Sequence, residues 1–265
     1  MKASMRGAVS VLAVVGLLAL AGPAWAAAFV PDGNGIISSP TIDGTAATGS
    51  YTNPTSTSFT VTASNADYWY EGGREAQFVY KAVSGDFILV AQANWSPVPT
   101  VNNPEGGLLF SDSPTSASKS GSYLLRGAHS SGPEQDILGT VVGGTYGNDH
   151  YVDVAGSFNP NTGTPIWLKL VRVGDVFSYS YSTDSTNGVD GTWGNNSNTD
   201  PFVTTSTYTG IGDTVYVGFA VADTHTDAGT ETMSFTNVDF VPEPATLALL
   251  AMGGVGLLLK RRRSK

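Results

Sequence analysis

The chain has 265 residues, no cysteine, and 13 basic against 22 acidic residues, a net charge of −9. All 22 acids but only six of the bases lie in residues 27–244, so this stretch carries −16 and offers no basic footprint for nucleic acid or anionic lipid. The lack of cysteine excludes disulfides, thiolate zinc sites, iron–sulfur ligands and cysteine nucleophiles.

At the N-terminus, Lys2 and Arg6 precede an apolar run over residues 8–22. Pro23 ends the run, and Ala24-Trp25-Ala26 supplies the small-x-small pattern of a signal peptidase site. Residues 1–26 are therefore expected to be a helical secretion signal, cleaved after Ala26. Residues 27–57, rich in Gly, Ser, Thr, Pro and Asn, read as an irregular lead-in with one short strand near Thr41-Ile42.

From residue 58 to 240, period-two alternation of apolar and polar side chains recurs, as expected of half-buried strands. Phe59, Val61 and Ala63 alternate with Thr60, Thr62 and Ser64. Phe87, Leu89 and Ala91 follow a Ser84-Gly85-Asp86 turn that ends a strand over residues 77–81. Gly174-Asp175 between Val173 and Val176 signals a tight hairpin leading to Phe177, Tyr179 and Tyr181. Val215, Val217, Phe219 and Val221 form another alternating run, and Met233 and Phe235 open a last strand ending near Phe240. No amphipathic helix exceeds about two turns outside the two ends. The pattern predicts an all-β, two-sheet antiparallel β-sandwich.

The tail, residues 241–265, has three parts. Val241-Pro242-Glu243-Pro244 comes first, an apolar run over residues 245–259 second, and Lys260-Arg261-Arg262-Arg263-Ser264-Lys265 last. The run is shorter than the roughly 20 residues of an average spanning helix. Its basic flank predicts a transmembrane helix with Arg261, Arg262 and Arg263 on the cytoplasmic side. Both ends thus predict an exported domain held transiently at the inner membrane.

In this order the three tail parts resemble the PEP-CTERM sorting signal. The resemblance implies recognition by an exosortase, a membrane protease acting near Pro242-Glu243-Pro244, in a bacterium that makes exopolysaccharide. The middle of the chain resembles the concanavalin A-like jelly-roll modules of the LamG-like, "regulation of enolase" type. The resemblance rests on Ala66-Asp67-Tyr68-Trp69 with Phe78-Val79-Tyr80, on Trp167-Leu168-Lys169-Leu170-Val171-Arg172, on Gly191-Thr192-Trp193, and on the segment 215–221 before His225. After Gly107-Leu108-Leu109-Phe110, relatives carry arginine where this chain has Ser111.

Glycoside hydrolysis on such a fold needs two carboxyl groups flanking the bond. The Glu-x-Asp-x-Glu strand pattern of glucanases is absent, as are a Gly-x-Ser-x-Gly elbow and a phosphate loop. No enzyme is expected. The best polar constellation is Asp223-Thr224-His225-Thr226-Asp227. If extended, it presents three side chains to one face for a sugar or a calcium ion at Asp223 and Asp227; otherwise it is a solvated loop. Asp184, Asn187, Asp190 and Gly191 read as a turn closed by side-chain caps rather than a calcium loop, with Trp193 pinning it. Trp69 and Trp167 are expected in the core, while Tyr70 and Trp95, the latter near Pro97 and Pro99, are expected to be exposed rings that stack on sugars.

The sequence therefore predicts an exported, non-catalytic surface or matrix protein that binds exopolysaccharide. Signal peptidase and exosortase are its processing partners. A structural matrix protein without a ligand is the first alternative and a glucanase-type hydrolase the second.

Overall fold

A computed structural model describes residues 28–38, 47–66, 75–95, 105–115, 119–126, 135–142, 145–153, 164–194, 204–222 and 230–242. These belong to one compact unit, Ala28–Pro242. The expected signal helix and transmembrane helix lie outside the described residues, as does the strand expected near Thr41-Ile42. Among the described residues, no helix is long and apolar enough to cross a membrane.

The described residues hold fourteen strands. They are β1 (Gly33–Ser38), β2 (Thr48–Thr55), β3 (Ser58–Ser64), β4 (Glu75–Ser84), β5 (Phe87–Trp95), β6 (Glu105–Ser111) and β7 (Lys119–Arg126) in the first half of the chain. In the second half come β8 (Gln135–Val142), β9 (Thr145–Asp153), β10 (Ile166–Val173), β11 (Val176–Ser182), β12 (Thr204–Thr207), β13 (Thr214–Ala222) and β14 (Thr230–Pro242). One seven-stranded sheet has the order β1-β4-β13-β6-β7-β8-β9, the other β12-β11-β10-β5-β14-β3-β2. Every strand pairing within each sheet is antiparallel. The expected two-sheet antiparallel β-sandwich is the fold observed.

The lead-in is the first correction. Residues 27–57 contain two strands rather than irregular chain: β1 pairs along β4 from Gly33↔Tyr80 to Ser38↔Glu75, and β2 pairs along β3. Phe29, just before β1, is fully buried, so the sandwich begins well before residue 58.

The core is aromatic. Phe29, Phe59, Phe219 and Phe235 pack together in its middle, with Phe59 stacked on Phe219 at 5.0 Å. Phe110 and Phe177 stack at 3.7 Å across the sheets, with Tyr208 edge-on to both. β14 reaches both ends of this core because it carries a bulge. Its register on β5 shifts between Thr236 and Asp239, with Asn237 at a φ of 51°. The extra residue moves the inward set from Glu231, Met233 and Phe235 to Val238 and Phe240.

The two ends of the sandwich differ. At one, which we term the turn end, Gly85-Asp86 carries the chain from β4 in the first sheet to β5 in the second, and Gly174-Asp175 closes the β10–β11 hairpin. The other is the loop end. Here Ser38 pairs with Glu75, Ala222 with Glu105, and Glu105 with Arg126 in the first sheet. In the second sheet, Thr230 pairs with Ser64 and Met233 with Trp95. Gly106 joins the two sheets there, since a Cβ at that position would lie 2.9 Å from Met233 Sδ and 3.1 Å from the Trp95 ring. The segments 67–74, 96–104 and 223–229 are each bounded by strands that stop at this end.

Candidate functional site

The outer face of the first sheet follows from register. Phe219 points into the core, so Tyr216, Gly218, Ala220 and Ala222 of β13 point outward, flanked by Phe78, Tyr80 and Ala82 of β4 and by Glu105, Gly107, Leu109 and Ser111 of β6. On this face Phe78, Leu109, Ala220 and Glu105 are buried, whereas Tyr80 and Tyr216 are half-buried and Ala82 is exposed. The two tyrosine rings meet edge to face at 5.4 Å, and Phe78 lies 5.5 Å from Tyr80. Tyr80 leans over β1, where a Cβ on Gly33 would fall 2.6 Å from its hydroxyl oxygen; above Gly35 there is open space. The result is a small, partly open aromatic platform with a glycine-lined edge. Amphipathic rings in such a setting suit the C–H-rich face of a sugar.

The outer face of the second sheet is chemically different. Three rows of hydroxyls cross β2, β3 and β14: Thr48, Ser64 and Thr230; Ser50, Thr62 and Thr232; Thr52, Thr60 and Ser234. Thr62 and Thr232 share a hydrogen bond of 2.9 Å and Ser64 and Thr230 one of 2.6 Å. This array carries neither charge nor aromatic ring.

Farther across the second sheet, the turn after β11 folds back over the outward side chains of β10. Gly188 lies against Trp167, an added Cβ there falling 2.7 Å from the ring, and Trp167 is buried. Its acids close the turn as expected. Asp184 accepts hydrogen bonds from the Thr192 backbone and hydroxyl at 2.7 and 2.9 Å and from the Ser182 hydroxyl at 2.8 Å. Asp190 accepts from the Thr186 backbone and hydroxyl and from the Ser185 hydroxyl. These donors hold Asp190 down to about 2 and lower Asp184 as well. The Trp193 indole donates to the Asp190 carbonyl at 3.0 Å, which pins the turn. Both carboxylates thus serve the turn, and among the described residues no group of three or more acidic or histidine side chains is placed to hold a metal.

Lys169 stands 3.3 Å above the Trp193 ring, and burial pushes its ammonium down from 10.5 to about 8. Below pH 8 the lysine is charged in both folded and unfolded chains, and the fold bears the whole cost of burying it. Between about 8 and 10.5 the folded chain releases its proton first, so stability rises with pH across that window. The indole face below acts in the opposite direction and makes the rise smaller than burial alone dictates. Urea midpoints at pH 7 and pH 10 check this: the wild type gains relative to Lys169→Met, and equal changes in both chains would refute it.

Of the site residues expected from sequence, Tyr70, Asp223, His225 and Asp227 lie outside the described residues, as do Glu243, Pro244, Arg261, Arg262 and Arg263. Trp95 is a correction. It continues the inward set of β5 after Phe87, Leu89, Ala91 and Ala93, and is only 2 % exposed, against Gly106 and Met233. The nearby prolines do not turn it out, because strand parity continues to its last residue. Ser111 is fully buried and accepts a hydrogen bond from the Ser113 backbone at 3.1 Å. The sequence reading missed Tyr80 and Tyr216. Their signal is parity: each is an aromatic on the outward set of its strand, among glycines and alanines.

These features define a β-sandwich domain with an export sorting tail. Residues 240–263 match the profile of the PEP-CTERM protein-sorting motif. No curated protein matches the chain. Similar solved structures include a functionally unknown protein from Saccharomyces cerevisiae, with 15% identity, a TM-score of 0.46, and coverage of 73% of this chain and 96% of that one. Lectin II from Ulex europaeus has 13% identity and a TM-score of 0.41, with 80% and 94% covered. GH43B of the Bacteroides ovatus xyloglucan PUL has 10% identity and a TM-score of 0.45; the match covers 70% of this chain but only 32% of that one. At these scores no residue role is carried over from any of them.

Proposed function

We propose that this is a non-catalytic protein of the cell surface or extracellular matrix whose sandwich binds the exopolysaccharide of its own cell. The observation that carries this reading is the half-exposed Tyr80–Tyr216 platform on the outer face of the first sheet. Tyr70 precedes β4, and Asp223, His225 and Asp227 follow β13, the two strands that bear the platform. In this reading they add a further ring and hydroxyl acceptors, Asp223 and Asp227 acting directly or through calcium. The only carboxylate at the outward positions of β4, β13 and β6 is Glu105, which favours binding over hydrolysis by a carboxylate pair. A signal peptidase releases the N-terminus after Ala26, an exosortase acts on the tail at Pro242-Glu243-Pro244, and Arg261, Arg262 and Arg263 hold the precursor at the inner membrane until then.

One observation favours a structural matrix protein instead: Tyr80 fills the gap left by Gly33, a role that needs no ligand. Titration of residues 27–244 with the native exopolysaccharide, with calcium and with chelator, separates the readings. Stacking is worth about 0.5–1.5 kcal/mol per ring pair, so Tyr80→Ala or Tyr216→Ala should weaken binding roughly 2- to 12-fold. Loss of binding with chelator alone would point to Asp223 and Asp227. No saturable binding under either condition would leave the structural role.

A further inference from the structure

The sorting match begins at Phe240, yet the first three matched residues are part of the sandwich. Phe240 is 2 % exposed and packs edge-on to Phe29 at 5.8 Å, with Phe87 on another side at 6.1 Å. In the ladder, Phe240 pairs with Leu89, Val241 with Ile88 and Pro242 with Phe87. Upstream, the Val238 backbone donates to the Thr57 carbonyl at 3.1 Å. From Pro242, only Glu243 and Pro244 precede the apolar run that starts at Ala245. The sorting motif therefore starts inside the last strand, without a spacer.

A protease binds its substrate as an extended segment, and a strand already paired on a sheet cannot be threaded into a cleft until it frays. Fraying this strand also pulls Phe240 from the core and exposes Phe29 and Phe87 to water. We infer that the folded sandwich acts as the ruler for sorting cleavage: it bars the cut at or before Pro242 and confines it to the chain beyond. This rests on the proposed processing of the tail. At the cut, the peptide C–N bond breaks, the acyl carbon passes to water or to an amine acceptor, and the tail leaves with a free amine. The exported protein then keeps all of β14, and with it the Phe29–Phe240 contact that joins the two ends of the domain.

Two measurements test this. In the first, the detergent-solubilised full chain is treated with a broad-specificity protease. Cleavage within residues 238–242 should be at least about tenfold slower than beyond Pro242, and Phe240→Ala should abolish the difference. Should Phe240→Ala fail to fold, Pro242→Gly loosens the strand end without emptying the core and should narrow the difference. Equal cleavage on both sides of Pro242 in the wild type would overturn the inference. In the second, mass spectrometry reads the C-terminus of the protein recovered outside its own cells. A terminus at Glu243 or later supports the ruler, and one at or before Pro242 overturns it. An intact tail would refute the processing reading, and the protease comparison then decides the ruler alone.

Discussion

Replacing Arg172 by alanine is expected to lower stability by about 3–5 kcal/mol, the usual cost of breaking a buried, charge-assisted network. The side chain is 3 % exposed and spans the turn end of the sandwich. Its Nε donates to the Gly174 carbonyl at 2.9 Å, and Nη1 and Nη2 donate to the Asp213 and Gly212 carbonyls at 2.6 Å each. One fork thus ties the β10–β11 hairpin to the turn that leads into β13. Asp86, Asp175 and Asp213 act on the guanidinium through their charge, so its removal also takes away the cation that offsets them. Arg172→Lys restores the charge but not the planar fork, and should recover only part of the loss. Denaturant unfolding measures both variants. A loss below about 1 kcal/mol in Arg172→Ala would mean that water serves these carbonyls as well as the guanidinium does.

Much of this architecture was legible because β-strands write their burial with period two. The runs at residues 59–63, 87–91, 177–181 and 215–221 are all strands, and the Gly174-Asp175 turn closes the hairpin between Val173 and Val176. Parity also contained what was missed. It places Trp95 inside and Tyr80 and Tyr216 outside, although local cues such as Pro97 and Pro99 suggest the reverse for Trp95. β7, β8 and β9 were illegible for a different reason. Gly121, Gly139 and Gly147 interrupt them, and glycine weakens any strand signal because it has no side chain to place on a face. The lead-in misread as irregular holds β1 and β2, where glycine and serine again dilute the pattern. There, pairing with β4 and β3 decides the structure, and a partner strand cannot be read from local sequence. The acidic turn was legible because Asp, Asn, Ser and Thr side chains cap backbone amides close by in sequence.

Phe29 carries the strongest consequence of that misread segment. It lies outside the strands and only three residues beyond the expected signal cleavage after Ala26, yet it is fully buried. Its ring sits edge-on to Phe219 at 5.1 Å, Phe59 at 5.6 Å and Phe240 at 5.8 Å, and so touches both sheets. Phe29→Ala should cost about 3–5 kcal/mol, the lost burial of the ring plus the cavity left among neighbours that cannot all close in. Total stability of a domain is about 5–15 kcal/mol, so such a loss brings the variant near its unfolding threshold. For a domain of this size the melting temperature should fall by roughly 6–20 °C. Val30, the next residue, is 56% exposed and serves as the control, since Val30→Ala should change stability by no more than about 0.5 kcal/mol. Thermal and denaturant unfolding of residues 27–244 read both variants. If Phe29→Ala melted with the wild type, the segment before β1 would be a dispensable leader. A loss confined to Phe29→Ala would make it the N-terminal plug of the core.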